Sequence, residues 1–257
     1  MKNRLFLILF LLGFAGVVSI LLIDLSALAA LIPAANAPPI TPAIKILSLI
    51  QPAVLVGVAV LVGIVLAPKV GLSAPAAEAL AAGEQTLPAL KPQLIPGVLG
   101  GVFGALAILL THAVFKPLLT TETVARITRF GSLLPIPMRI LYGGLTEEVL
   151  IRWGVMTLLV WIIWRVFQKR LIKPTSVCFV VAILVSSIVF GLGHLPVAAV
   201  VLPQITLAVV LFVIIANSAF ALVAGYLYWR YGLESAMIAH VLCHVVLAVA
   251  SRAGAYF

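Results

Sequence analysis

Long apolar runs separated by short polar stretches set the pattern of this chain. A membrane-spanning helix needs about 20 mostly apolar residues. Leu5 to Ile32 is one such run, broken only by Asp24. It follows Lys2 and Arg4, and Ala35-Asn36-Ala37 resembles a signal cleavage site. The stretch from Leu5 to Ile23 is longer than a signal-peptide core, so it reads as an uncleaved anchor helix. Ile46 to Ala67 is a second span. Pro68 to Pro96 reads as an interfacial loop with a short Ala-rich helix near Ala76 to Ala82. Gly97 to Phe115 is a third span, whose Gly97/Gly101 and Gly100/Gly104 pairs suit close helix contact.

Lys116 to Arg139 reads as a polar, basic loop. Ile140 to Phe167 is a fourth helix, long enough to cross with tilt, and Gln168 to Thr175 is a basic turn. Val177 to His194 is a fifth span. Leu195 to Pro203 is apolar but short and bounded by prolines, a pattern for a re-entrant turn. Gln204 to Trp229 is a sixth span with an aromatic anchor at Tyr226, Tyr228, Trp229 and Tyr231. Leu233 to Ala250 is the last. The pattern predicts an all-α, polytopic transmembrane helical bundle of seven spans, or eight if the Leu195–Pro203 region adds one. It divides into residues 1–96, holding the first spans and the loop, and residues 97–257, the core.

Composition agrees. Of the 257 residues, 64% are hydrophobic and 9% charged, against roughly 45–50% and 25% in ordinary globular chains. Such a chain cannot clothe a soluble sphere in polar groups, which disfavours a soluble enzyme or a disordered protein. The formal charge of +9 sits mostly in short loops, where it meets anionic lipid headgroups and not nucleic acid. The side holding the N-terminus carries nine Lys/Arg and the other six. That weakly favours a cytoplasmic N-terminus, although the loops flanking the fourth span tie. Cys178 and Cys243 lie in apolar runs and read as small buried hydrophobes.

The fourth helix holds Glu147, Glu148 and Arg152 within six residues. Unpaired at mid-membrane they would cost on the order of 8 kcal/mol. Glu148 and Arg152 are four apart and can pair on one face. Glu147 is turned about 100° away and has no partner in its own helix. His194 ends the fifth span. His240 and His244 share one face of the last, a spacing that suits one metal or one substrate atom. His112, near the end of the third span, reads as an interfacial residue. At about 1.5 Å per residue, Glu147 and His244 lie roughly 10 Å deep and His240 roughly 16 Å, measured from the side where His194 emerges. The five groups can share one half of the bilayer. The competing reading is a buried salt bridge and a spare acid that only lock packing.

No GxSG-like nucleophile, HExxH or GxGD is present, so three membrane-protease designs are absent. A carboxylate beside imidazoles can deprotonate water, and two further imidazoles can stabilise an oxyanion. The same groups could instead hold a divalent metal such as zinc with an open position for water. Spacing leaves both open. A proton-coupled transporter is disfavoured, because its paired broken halves are missing.

Glu147-Glu148-x-x-x-Arg152, Phe190-x-x-x-His194 and His240 resemble the three motifs of the CPBP intramembrane proteases, which include the type II CAAX prenyl endopeptidases. The motifs cover about Arg139 to Ser251. The resemblance implies an intramembrane endopeptidase in a cell membrane, expected to be a bacterial inner membrane, acting on a peptide or membrane-tethered protein. It implies that Glu147 activates water with help from His194, that Glu148 and Arg152 support them, and that His240 sits at the oxyanion. The family usually has Asn four residues after that histidine, where this chain has His244. The resemblance also admits a catalytically silent scaffold or bacteriocin self-immunity protein.

Overall fold

A computed structural model describes residues 1–31, 41–202 and 204–254. The cleavage-like Ala35-Asn36-Ala37 lies outside them. Among the described residues every regular element is helical, and seven helices are long and apolar enough to cross a membrane. The protein is an all-α polytopic bundle. The principal helices are α1 (Lys2–Ser19), α2 (Ile50–Val70), α3 (Pro75–Ala82), α4 (Thr86–Phe115) and α5 (Thr121–Leu133). A long rod α6 follows, wound in the wider π form over Arg139–Glu147 and Val149–Met156 and as an α-helix over Thr157–Phe167. Then come α7 (Ser176–Gly193), α8 (Leu195–Val201), α9 (Leu207–Tyr231) and α10 (Leu233–Arg252).

Most of the spanning helices are apolar on every side, as lipid requires, and the charged groups of the fourth and last spans turn inward. On α2, Val56, Val60 and Ala67 are buried while Val54, Val58, Leu61 and Val65 face outward. Asp24, the charge that interrupts the first run, is an N-cap. Its carboxylate accepts from Ser26 and Ala27 N–H at 2.9 and 3.2 Å, which satisfies donors that a helix start leaves open.

Four local readings change. The polar stretch before Gly97 is largely helix, because α4 begins at Thr86 and runs 30 residues with Pro92 and Pro96 inside it. The basic stretch after the third span holds α5, an amphipathic helix capped by Thr120, which accepts from Thr123 N–H at 3.1 Å. Leu195–Val201 continues the fifth span as a helix and does not form a re-entrant turn, so the count is seven. His112, read as interfacial, is buried within the bundle, its ring centroid 4.7 Å from that of Phe212 in an edge-to-face contact.

Glycines on α4 set two close approaches. A Cβ on Gly97 or Gly101 would meet Ile238 or Leu242 of α10 at 2.8 Å, and one on Gly104 would meet Phe220 of α9 at 2.5 Å. Each pair predicted from spacing thus serves a different neighbour. The N-terminal end of α10 is pinned as well. Glu234 Oε1 accepts from Ala77 N–H at 2.8 Å and Gln93 Oε1 from Ser235 N–H at 2.9 Å. These bonds fix how deep His240 lies.

The first spans buttress α6. Thr146 donates to Gly13 O at 2.6 Å, and Trp153 Nε1 donates to Val60 O at 3.3 Å. Gly16 and Gly63 leave room, since a Cβ there would run into Thr146 and the Trp153 ring.

Candidate active site

The two adjacent glutamates of α6 diverge, as the sequence requires, and meet different partners. Glu148 is fully buried. Its Oε2 lies 3.1 Å from Arg152 Nε, and its Oε1 accepts from His240 Nδ1 at 2.8 Å. Arg152 is also fully buried, with its guanidinium 5.7 Å from the centre of the Phe190 ring. One carboxylate therefore ties the fourth helix to the last, and one cation ties it to the Phe190 of the second motif.

Glu147 turns the other way. Its Oε1 lies 4.0 Å from His194 Nε2 and its Oε2 3.9 Å from His240 Nε2. Both distances exceed a hydrogen bond and match a gap spanned by one water. These groups line a cavity of about 160 Å³. His244 and Phe220 contribute to its wall, and the His244 ring stacks on His240 with centroids 4.9 Å apart.

The tautomers follow from the hydrogen bonds. His194 Nδ1 is 2.8 Å from Phe190 O, and a carbonyl oxygen only accepts, so Nδ1 carries a proton. His240 Nδ1 faces the ion-paired Glu148 carboxylate and carries one for the same reason. Each Nε2 is then a lone pair toward the cavity unless the ring is doubly protonated. The imidazoles and Glu147 have the chemistry of a metal-ligand set with fixed outer partners. As placed, however, no group of three or more His, Cys, Asp or Glu side chains among the described residues is arranged to hold a metal ion.

The structure brings together Glu147, Glu148, Arg152, His194, His240 and His244. His112 lies elsewhere, against Phe212. Cys178 and Cys243 are free and buried, and Cys243 reaches the cavity wall beside His244. Other wall residues were not legible as site residues, among them Arg139, Tyr142, Gly143 and Asn217. Asn217 had a signal, a carboxamide in the middle of an apolar span. Gly143 had none, because its role is to leave room. A Cβ there would collide with His244 and come within 3.4 Å of His240 Nε2.

The π winding was also not foreseen. It rests on i→i+5 bonding, is rare, and recurs at functional sites. Thr157 Oγ1 donates to Arg152 O, five residues back, at 3.2 Å, and shares a 2.8 Å hydrogen bond with the Tyr228 hydroxyl. Both bonds support the helix where the wide turns end.

Residues 129–246 match a family model described as type II CAAX prenyl endopeptidase Rce1-like. No curated protein and no solved structure matches the chain. The match encloses all three motifs, whose side chains meet at one cavity inside a multi-pass helical bundle. Residues 129–246 thus carry a domain similar to the type II CAAX prenyl endopeptidases, in keeping with the CPBP resemblance of the motifs.

Proposed function

We propose that this protein is a glutamate-dependent intramembrane endopeptidase. The observation that carries the reading is the approach of Glu147 to two imidazoles from separate helices, at 4.0 and 3.9 Å. A water in that gap is held by the carboxylate and by His194. Glu147 takes a proton from it while the water oxygen attacks the carbonyl carbon of a peptide bond. The tetrahedral oxyanion lies against His240. The carbon–nitrogen bond then breaks, and the proton held by Glu147 passes to the leaving nitrogen.

His240 can donate from Nε2 only as an imidazolium, since its Nδ1–H is given to Glu148. Glu148 and Arg152 are positioning groups in this scheme. They hold His240 and do not touch the substrate.

The test is cleavage of a membrane-tethered peptide library by the purified full chain in lipid nanodiscs. Glu147→Gln and His194→Ala are expected to lose about a thousandfold in rate, on the scale of acid–base catalysis, while thermal unfolding stays within a few degrees. Exhaustive chelation leaves the wild-type rate unchanged. Loss on chelation, restored by zinc, replaces this mechanism with a metal-dependent one. Equal cleavage by all forms, or none by any, turns the assignment to a silent scaffold.

A further inference from the structure

Between Leu207 and Tyr226, helix α9 carries only two polar side chains, Asn217 and Ser218. Ser218 has a structural duty: its hydroxyl donates to Ser187 O of α7 at 2.9 Å. Asn217 turns instead to the catalytic cavity, whose wall it shares with Glu147, His194 and His240. Its Nδ2 donates to Val213 O, one turn back, at 2.8 Å. That bond orients the carboxamide and uses one of its two N–H groups. The second N–H and the Oδ1 oxygen have no further hydrogen-bond partner among the described residues.

The open edge of this carboxamide is half-buried on the cavity wall and reachable from it, so it is available to an incoming group. Of the nearby groups, only the Tyr142 hydroxyl also offers a donor and an acceptor, and it does so on one atom and not along an edge. The Nδ1–H of His194 and of His240 are committed to Phe190 O and Glu148. Arg139 directs its Nε to Leu134 O at 3.0 Å and a terminal nitrogen to Gly131 O. His244 lies flat on His240. An extended peptide entering the cavity brings its own unpaired N–H and C=O groups out of water, and each needs a partner there. A side-chain amide offers one donor and one acceptor on a single edge, which complements a main-chain amide.

We infer that Asn217 is a substrate-binding residue whose free carboxamide edge pairs with the main chain of the peptide beside the scissile bond. This rests on the endopeptidase reading above and assigns a residue outside the three motifs.

The experiment uses the full chain in nanodiscs and one peptide that it cleaves. Asn217→Ala is expected to raise KM about tenfold, the scale of one or two hydrogen bonds, with kcat changed less than about threefold. Asn217→Asp, which keeps the shape and loses the donor, gives a loss in the same direction. A series of peptides with a single ester in place of each amide then completes a double-mutant cycle. At one position the ester weakens wild-type binding and adds nothing further in Asn217→Ala. A merely structural role moves KM for every peptide alike and shows no such position. Independent losses at all positions, or a KM unchanged in Asn217→Ala, overturn the inference while the protease reading stands. A wild-type protein that cleaves no peptide overturns both. Ser218→Ala is the control for packing between α7 and α9 and does not couple to any ester.

Discussion

His240 Nδ1 donates to Glu148 Oε1 at 2.8 Å while the other oxygen of the same carboxylate lies 3.1 Å from Arg152 Nε. A single buried anion thus sets the proton position on an imidazole 92 residues away and neutralises a buried guanidinium. Position and charge are fixed by one group, so neither can be altered alone.

Glu148→Gln keeps the shape of the side chain and removes its charge. Arg152, fully buried, then has no formal counter-ion at hydrogen-bond distance, and breaking a buried pair from one side costs about 3–5 kcal/mol. His240 also loses the anionic acceptor of its Nδ1–H. The expected outcome is a lower unfolding temperature together with a drop in cleavage of at least about a hundredfold, on the scale of one oxyanion donor. Thermal unfolding and peptide cleavage in the same nanodisc preparation check it. Normal stability with normal activity would remove Glu148 from the scheme.

Gly143→Ala introduces a methyl group against His244 and 3.4 Å from His240 Nε2. Both rings lie at the site, so the methyl displaces them from the cavity. Cleavage is expected to fall by about a hundredfold, the cost of an ångström-scale misplacement. Gly131→Ala is the matched control, since a Cβ there meets nothing within 4 Å. Similar rates for the two variants would show that the close approach has no part in activity.

Gly63→Ala tests the buttress that the first spans supply. The added Cβ would run into the indole of Trp153, on the rod that carries both glutamates. Overpacking of this kind typically costs about 1–3 kcal/mol. The expected result is a loss of stability with a smaller, partial loss of activity, measured by unfolding and cleavage in parallel. Unchanged stability would mean that α2 yields without disturbing α6.

Much of this protein was legible from its residues. The seven apolar runs identified the spans, because lipid leaves a chain of this composition little choice but helices. The separation of Glu147 from Glu148, the Glu148–Arg152 pair and the glycine pairs of the third span all followed from local helical geometry. Boundaries were less legible. Thr86 to Pro96 reads as loop because prolines and a lysine interrupt it, yet packing against α3 and α10 carries the helix through.

What only the tertiary structure decided is which atoms meet. Depth counting puts Glu147 and His240 in one half of the bilayer on an ideal rise, but only the packing of α10 beside α6 brings the His240 ring to 3.9 Å from Glu147. The π winding of α6, which spacing could not announce, is the frame from which both glutamates project. The room left by Gly143, the tautomers held by Phe190 O and Glu148, and the turn of Asn217 toward the cavity are likewise relations between helices. Local periodicity determines which face of a helix a side chain occupies. Contact between faces depends on the tilt, rotation and depth of each helix, and those are set by packing across the whole bundle.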